Sequence, residues 1–141
     1  MRQNQNKKVI FLNVFLPMLF GAVVTWLIFS SNSILTVIER KAEVLSNLFA
    51  IFSFSMIGFL MTTLAILTGL NMAKYRRYGY WDNFITIFAI NIIELFILFI
   101  ASIIAIMYPS TIGFPIFLLL TTLFSFLIFF YKTFNLIKHC N

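Results

Sequence analysis

The chain has 141 residues; 62% are hydrophobic and 10% charged, against about 25% charged in an ordinary soluble domain. That balance excludes a water-soluble globular protein and leaves an integral membrane protein with room for about four spans and short loops. The formal net charge of +6 sits at the ends of apolar runs, so it reads as membrane topology, and no direct nucleic-acid binding is expected.

Four apolar runs reach the ~20 residues that a helical span needs: about 9–30, 48–70 (with a start that can lie earlier), 84–108 and 112–134. Runs this long do not alternate as barrel strands do, and backbone groups in lipid must be satisfied within the segment. The expected fold is therefore a single all-α transmembrane domain over residues 1–141. The first run exceeds a signal-peptide core and lacks a small-residue cleavage site after it, so it is read as a span.

Lysine and arginine placement sets the orientation. Arg2, Lys7, Lys8, Lys74, Arg76, Arg77, Lys132 and Lys138 flank one side, and only Arg40 and Lys41 the other, where Glu39 and Glu43 offset them. Both termini are expected in the cytoplasm. Between the first two spans, Ile34, Val37, Ile38, Leu45 and Leu48 fit one helical stripe, with Ser33 as the expected N-cap. Residues 33–47 either lie on the outer membrane surface or extend the second helix outward. In the second loop, Gly79 suits a helix C-cap and Asp82 an N-cap. Tyr75, Tyr78, Tyr80 and Trp81 suit the headgroup layer. Residues 108–115, with two prolines and no charge, are expected to form a short outer turn.

The third run carries Glu94 near its middle. An acid at that depth costs about 2.5–3.5 kcal/mol on insertion scales, and such residues mostly face protein or an aqueous path. Asn91 lies three residues earlier and shares its helix face; Ser102 and Ala105 continue roughly along it. The functional reading is an ion or proton pathway, or a gate, formed by Glu94, Asn91 and Ser102. The structural alternative is a helix-packing carboxyl bonded to a neighbour. No basic residue occurs at similar depth in any run, so Glu94 has no cationic partner there.

Small residues recur on the first two runs. Ser55, Gly58, Thr62, Ala65 and Gly69 form one stripe, and Asn13, Pro17, Gly21 and Thr25 another. Such stripes allow close helix approach, either within one subunit or as a seam between copies. The fourth run, rich in Phe with Thr121, Thr122 and Ser125 as its polar relief, reads as mainly lipid-facing. Enzyme chemistry is not expected: the chain has no phosphate loop, no metal-ligand cluster and no second intramembrane acid or histidine beside Glu94. No cofactor is implied. Cys140 is the single cysteine, so no internal disulfide can form, and His139 with Cys140 is a weak metal signal.

The loop Ala73-Lys74-Tyr75-Arg76-Arg77-Tyr78-Gly79-Tyr80 resembles the RexB membrane proteins of lambda-type Rex phage-exclusion systems. In that family an Ala-Lys-x-Arg-x-Tyr-Gly-Tyr stretch follows the second span, and a glutamate falls in the next span at the spacing of Tyr80 and Glu94. The Leu45-Ser46 and Asn135-Leu136 pairs also have counterparts. The resemblance covers about the last two-thirds of the chain; the first span matches in hydrophobicity alone. It implies a small multi-span protein of the bacterial inner membrane that acts as an ion channel. A soluble cytoplasmic partner senses infection, and the membrane protein then depolarises the cell. By role this is also similar to the membrane subunit of the Kiwa anti-phage system, an analogy without a shared motif. Carried over by position, Glu94 is the pathway residue, and Lys74, Arg76, Arg77, Tyr78, Gly79 and Tyr80 are the face nearest the partner.

The sequence thus leads to the membrane component of a two-part anti-phage system, in contact with membrane lipid and assembled as a homo-oligomer. Three rivals stand beside it. A phage holin is also small, basic-tailed and multi-span. A small proton-coupled transporter also combines four spans with one membrane glutamate, although in small multidrug transporters that glutamate lies in the first span. A membrane anchor for a soluble effector would use the arginine loop and not Glu94.

Overall fold

A computed structural model describes residues 11–69 and 80–138. All regular structure among them is helical. A π-helical turn, Phe11–Phe15, leads into α1, Leu16–Phe29. Then follow α2 (Asn32–Arg40), α3 (Ala42–Gly69), α4 (Tyr80–Met107), a short 3-10 turn (Pro109–Thr111) and α5 (Gly113–Lys138). Among the described residues, three stretches are long and apolar enough to cross a membrane: Ala42–Ile66, Phe84–Met107 and Pro109–Tyr131. The first run meets that test only when α1 and α2 are taken together, and those two are bent by 96°.

The bend has a local cause. Ser30 turns its hydroxyl back onto the Trp26 carbonyl at 2.8 Å, and Ser31 adopts an extended backbone (φ −99°, ψ 105°) that ends the ladder. Serine and asparagine compete in this way with helical hydrogen bonding. Ser31, not Ser33, therefore precedes α2, and it makes no side-chain cap bond. A second break falls at Lys41 (φ −108°, ψ 12°), after which α3 begins. The expected continuous stripe across 33–48 is thus divided. Ile38 and Leu45 turn inward against an apolar cluster, whereas Ile34, Val37 and Leu48 stay exposed. Helix α2 runs nearly crosswise to α1, and residues 42–47 form the N-terminal end of α3, as the expected outward extension of the second helix requires.

Two further details differ from expectation. Asp82 falls inside α4, which already includes Tyr80. Pro115 also lies inside a helix, in the first turn of α5, where its missing N–H costs nothing; the connection is correspondingly shorter, ending at Ile112. Gly79 lies outside the described residues.

The helices pack as a row. Helix α4 packs between α3 and α5, and α1 packs on the other side of α5, while α3 and α5 barely touch. Burial follows from this order. The apolar stretch of α3 is 11% buried, that of α4 39%, and that of α5 44%. The fourth run is therefore not mainly lipid-facing. Pro115, Ile116, Thr121, Thr122, Ser125, Phe126 and Phe129 are all buried on α5, because two helices pack on it instead of one.

Two apolar clusters hold the row. One joins α3, α4 and α5 through Leu60, Phe84, Ile87, Phe88, Leu95, Phe126 and Phe129. Phe84 and Phe88 there meet Phe129 at ring-centroid distances of 5.5 and 6.2 Å. The other gathers Ala42, Ala105, Ile112 and Ile116, with Ile28 and Phe29 of α1 packed against it. Helices α1 and α5 approach closely at Gly21. A Cβ added there would collide with the Thr121 hydroxyl and lie 3.2 Å from the Phe117 carbonyl oxygen. Phe20 stacks on Phe124 beside this point, with centroids 4.5 Å apart.

Candidate functional site at the junction of α4 and α5

Glu94 lies at the midpoint of α4, fourteen residues after Tyr80 and thirteen before Met107. The buried seam of α4 runs Phe84, Phe88, Asn91, Leu95, Leu98, Ser102, Ala105. These positions step by four and three residues, the pattern that keeps one helix face against its neighbours. Glu94 borders this seam on the α5 side. Ser125 of α5 donates its hydroxyl hydrogen to Glu94 Oε1 at 3.2 Å. The other carboxyl oxygen, Oε2, is buried and has no hydrogen-bond partner among the described residues.

Asn91 is 1% exposed. Its amide Nδ2 donates to the Ile87 carbonyl at 2.9 Å, one turn back on its own helix. Its Oδ1 is also buried and unmatched. Three residues of helix rise separate Asn91 from Glu94 by about 4.5 Å along the axis, on the same face. Helix α4 therefore carries two buried acceptor oxygens on one face, and the Glu94 carboxyl also meets a hydroxyl of α5.

Ser102 does not join them. It is fully buried, and its hydroxyl donates to the Leu98 carbonyl at 2.7 Å. It also lies eight residues beyond Glu94, about 12 Å along the axis. Leu95 and Leu98, both 0% exposed, fill the seam between them. The polar stripe read from spacing is thus a pair, Asn91 and Glu94, and a separate self-satisfied serine. The buried hydroxyls of Thr121 and Thr122 are likewise turned onto carbonyls of their own helix, at Phe117 (2.9 Å) and Leu118 (2.8 Å). Helix back-bonding of this kind satisfies a hydroxyl without a partner helix.

Ser125 is a site residue that the sequence offered only as part of the polar relief of a run read as mainly lipid-facing. Its one available signal was a fourfold spacing from Thr121, which gives α5 a polar edge. No comparable line distinguishes the faces of a helix that carries Phe, Leu or Ile on every side.

The stripe on α3 faces outward. Ser55, Gly58, Thr62 and Ala65 are exposed, and a Cβ added at Gly58 would meet no atom within 4 Å. Thr62 donates back to the Gly58 carbonyl at 2.9 Å. Gly69 closes the helix. Gly21 of α1, by contrast, is consumed within the chain by α5. The expected partner face at Lys74, Arg76, Arg77, Tyr78 and Gly79 lies outside the described residues, and Tyr80 opens α4.

Comparison with known protein families, with curated proteins and with solved structures found no match to this chain. The family resemblance accordingly rests on the residues of the 73–80 loop, their spacing to Glu94 and the two flanking pairs at 45–46 and 135–136.

Proposed function

We propose that this chain is the membrane component of a two-part anti-phage exclusion system. On this reading it is an oligomeric channel or membrane-perturbing effector that answers to a soluble cytoplasmic sensor. It crosses the bacterial plasma membrane four times, with α1 and its preceding turn as the first span and both termini inside. The observation that carries the reading is the Glu94 carboxyl. It sits at mid-helix, bonded through one oxygen to Ser125, with its other oxygen buried and unmatched. No lysine or arginine occurs at similar depth in any of the apolar runs to neutralise it; Lys132 lies near the end of the fourth. A membrane acid kept at that cost is by default a functional group.

Assembly is part of the proposal. The α4 seam is filled by Leu95, Leu98 and Ala105, so one chain encloses no conducting path along it. The exposed small-residue stripe of α3 supports close approach by a neighbouring helix. The biological setting comes from the RexB-like loop at residues 73–80.

The test uses cells that carry the gene with its neighbours and are then infected. Glu94→Gln keeps the side-chain volume and removes the charge. It is expected to accumulate normally in the membrane while infected cells lose both depolarisation and protection. Unchanged protection together with unchanged membrane potential would remove the pathway role. Release of a folded cytoplasmic enzyme, in place of selective depolarisation, would favour the holin reading.

A further inference from the structure

Helix α2 has two faces that the fold uses unequally. At 3.6 residues per turn, Ile34, Leu35, Val37 and Ile38 share one arc, and Asn32, Ser33, Thr36, Glu39 and Arg40 share the opposite one. Ile38 turns onto an apolar cluster and Leu35 is half-buried. Ile34 and Val37, on the other flank of the same arc, remain 46% and 62% exposed. The apolar arc is thus wider than the protein covers.

Position says what covers the rest. The end of α1 meets the start of α5, where a Cβ added at Gly113 would lie 3.0 Å from the Phe29 ring. Ile38 and Leu45 pack against the cluster that also holds Ala105, near the end of α4. Helix α2 therefore belongs to the end of the row where α1 and α4 finish. Trp26 and Tyr108 are both exposed near those two helix ends, and such side chains favour the headgroup layer. The breaks at Ser31 and Lys41 detach α2 from both neighbouring helices, and the 96° bend turns it across the direction of α1. With α1 as a span, as proposed, α2 lies in the plane of the membrane. We infer that α2 is an interfacial lipid-binding helix. Ile34 and Val37 enter the boundary between headgroups and acyl chains, and the Ser33, Thr36 and Arg40 face stays in water. Charge narrows the lipid class. Glu39 and Glu43 offset Arg40 and Lys41, so α2 has no net attraction for anionic lipid and is held by apolar burial. The inference rests on the span assignment of the proposed function; neither the Glu94 pathway nor the anti-phage role enters it.

The experiment attaches a nitroxide to single cysteines of the full chain carrying Cys140→Ser, in nanodiscs of phosphatidylcholine alone or mixed with phosphatidylglycerol. Ile34→Cys and Val37→Cys report the apolar flank, and Ser33→Cys and Thr36→Cys the polar face. All four positions are exposed, so a label there displaces no core contact. Val23→Cys, exposed at the middle of α1, reports the span itself. Collisions with oxygen, which concentrates in the bilayer, are compared with collisions with a water-soluble nickel chelate. The expected result places Ile34 and Val37 about 5–10 Å into the headgroup–acyl boundary, with Ser33 and Thr36 open to the chelate. The depths should be equal in both lipid mixtures.

Chelate access at Val37 equal to that at Thr36 would overturn the inference, because α2 would then stand in water. Screening of Val37 from oxygen and chelate together would overturn it in favour of a second copy seated on α2. Insertion that requires phosphatidylglycerol would overturn it in favour of electrostatic attraction. Failure here is separable from failure of the span assignment. A deep label at Val23 with a water-exposed Val37 discards the interfacial helix and keeps the span, whereas a water-exposed Val23 discards both.

Discussion

Two glycines on consecutive apolar runs have similar small-residue surroundings and opposite fates. Gly21 lies on a small-residue stripe of α1, and Gly58 on a similar stripe of α3. At Gly21 helix α5 comes so close that a single added carbon strikes the Thr121 hydroxyl. At Gly58 an added carbon meets nothing within 4 Å. A small-residue stripe therefore states that a helix can be approached closely, not which helix does so. The row order explains the difference. Helix α5 is an inner helix and receives α1, whereas α3 is an outer helix whose far face is left over after it packs on α4.

The comparison can be broken most forcefully at the crossing itself. Gly21→Val should destabilise the folded chain by about 1–3 kcal/mol, the usual cost of overpacking. Steric trapping or detergent unfolding would measure it. Wild-type stability in that variant would mean that α1 does not meet α5 there. Gly58→Val should leave the stability of the single chain within about 0.5 kcal/mol, as exposed substitutions do. On the proposed assembly it should lower the oligomeric fraction in native mass spectrometry. A large loss of single-chain stability would show that the α3 stripe is used internally after all. The smallest effect is expected at Ser102→Ala, again within about 0.5 kcal/mol. The hydroxyl there bonds to its own helix at Leu98 and to no neighbouring one.

Several of these features were legible in the residues and others were not, for physical reasons. The positions of the three long apolar helices follow from run length, because lipid enforces a minimum apolar length on any helix. The pairing of Asn91 with Glu94 follows from three-residue spacing on one helix. Their partner Ser125 lies 31 residues away on α5. That helix carries Phe, Leu or Ile on every side, and the Thr121–Ser125 edge alone does not name the helix it packs against. The breaks at Ser31 and Lys41 were hidden for the opposite reason. The amphipathic pattern of residues 33–48 continues across Lys41, and a pattern that continues does not announce a backbone that stops. Ser102 was misgrouped because spacing predicts a shared face but not whether a hydroxyl has already been satisfied by its own turn.

The comparison of consumed and unconsumed groups applies with most consequence to Glu94, whose carboxyl is half matched: one oxygen to α5, one to nothing in the described chain. The contact with Ser125 is what holds that carboxyl against protein instead of hydrocarbon. A double-mutant cycle with Glu94→Ala and Ser125→Ala, read by unfolding in bicelles, tests it directly. The account predicts a favourable coupling of about 0.6–1.7 kcal/mol, the range of side-chain hydrogen bonds between membrane helices. Strictly additive effects of the two substitutions would contradict it.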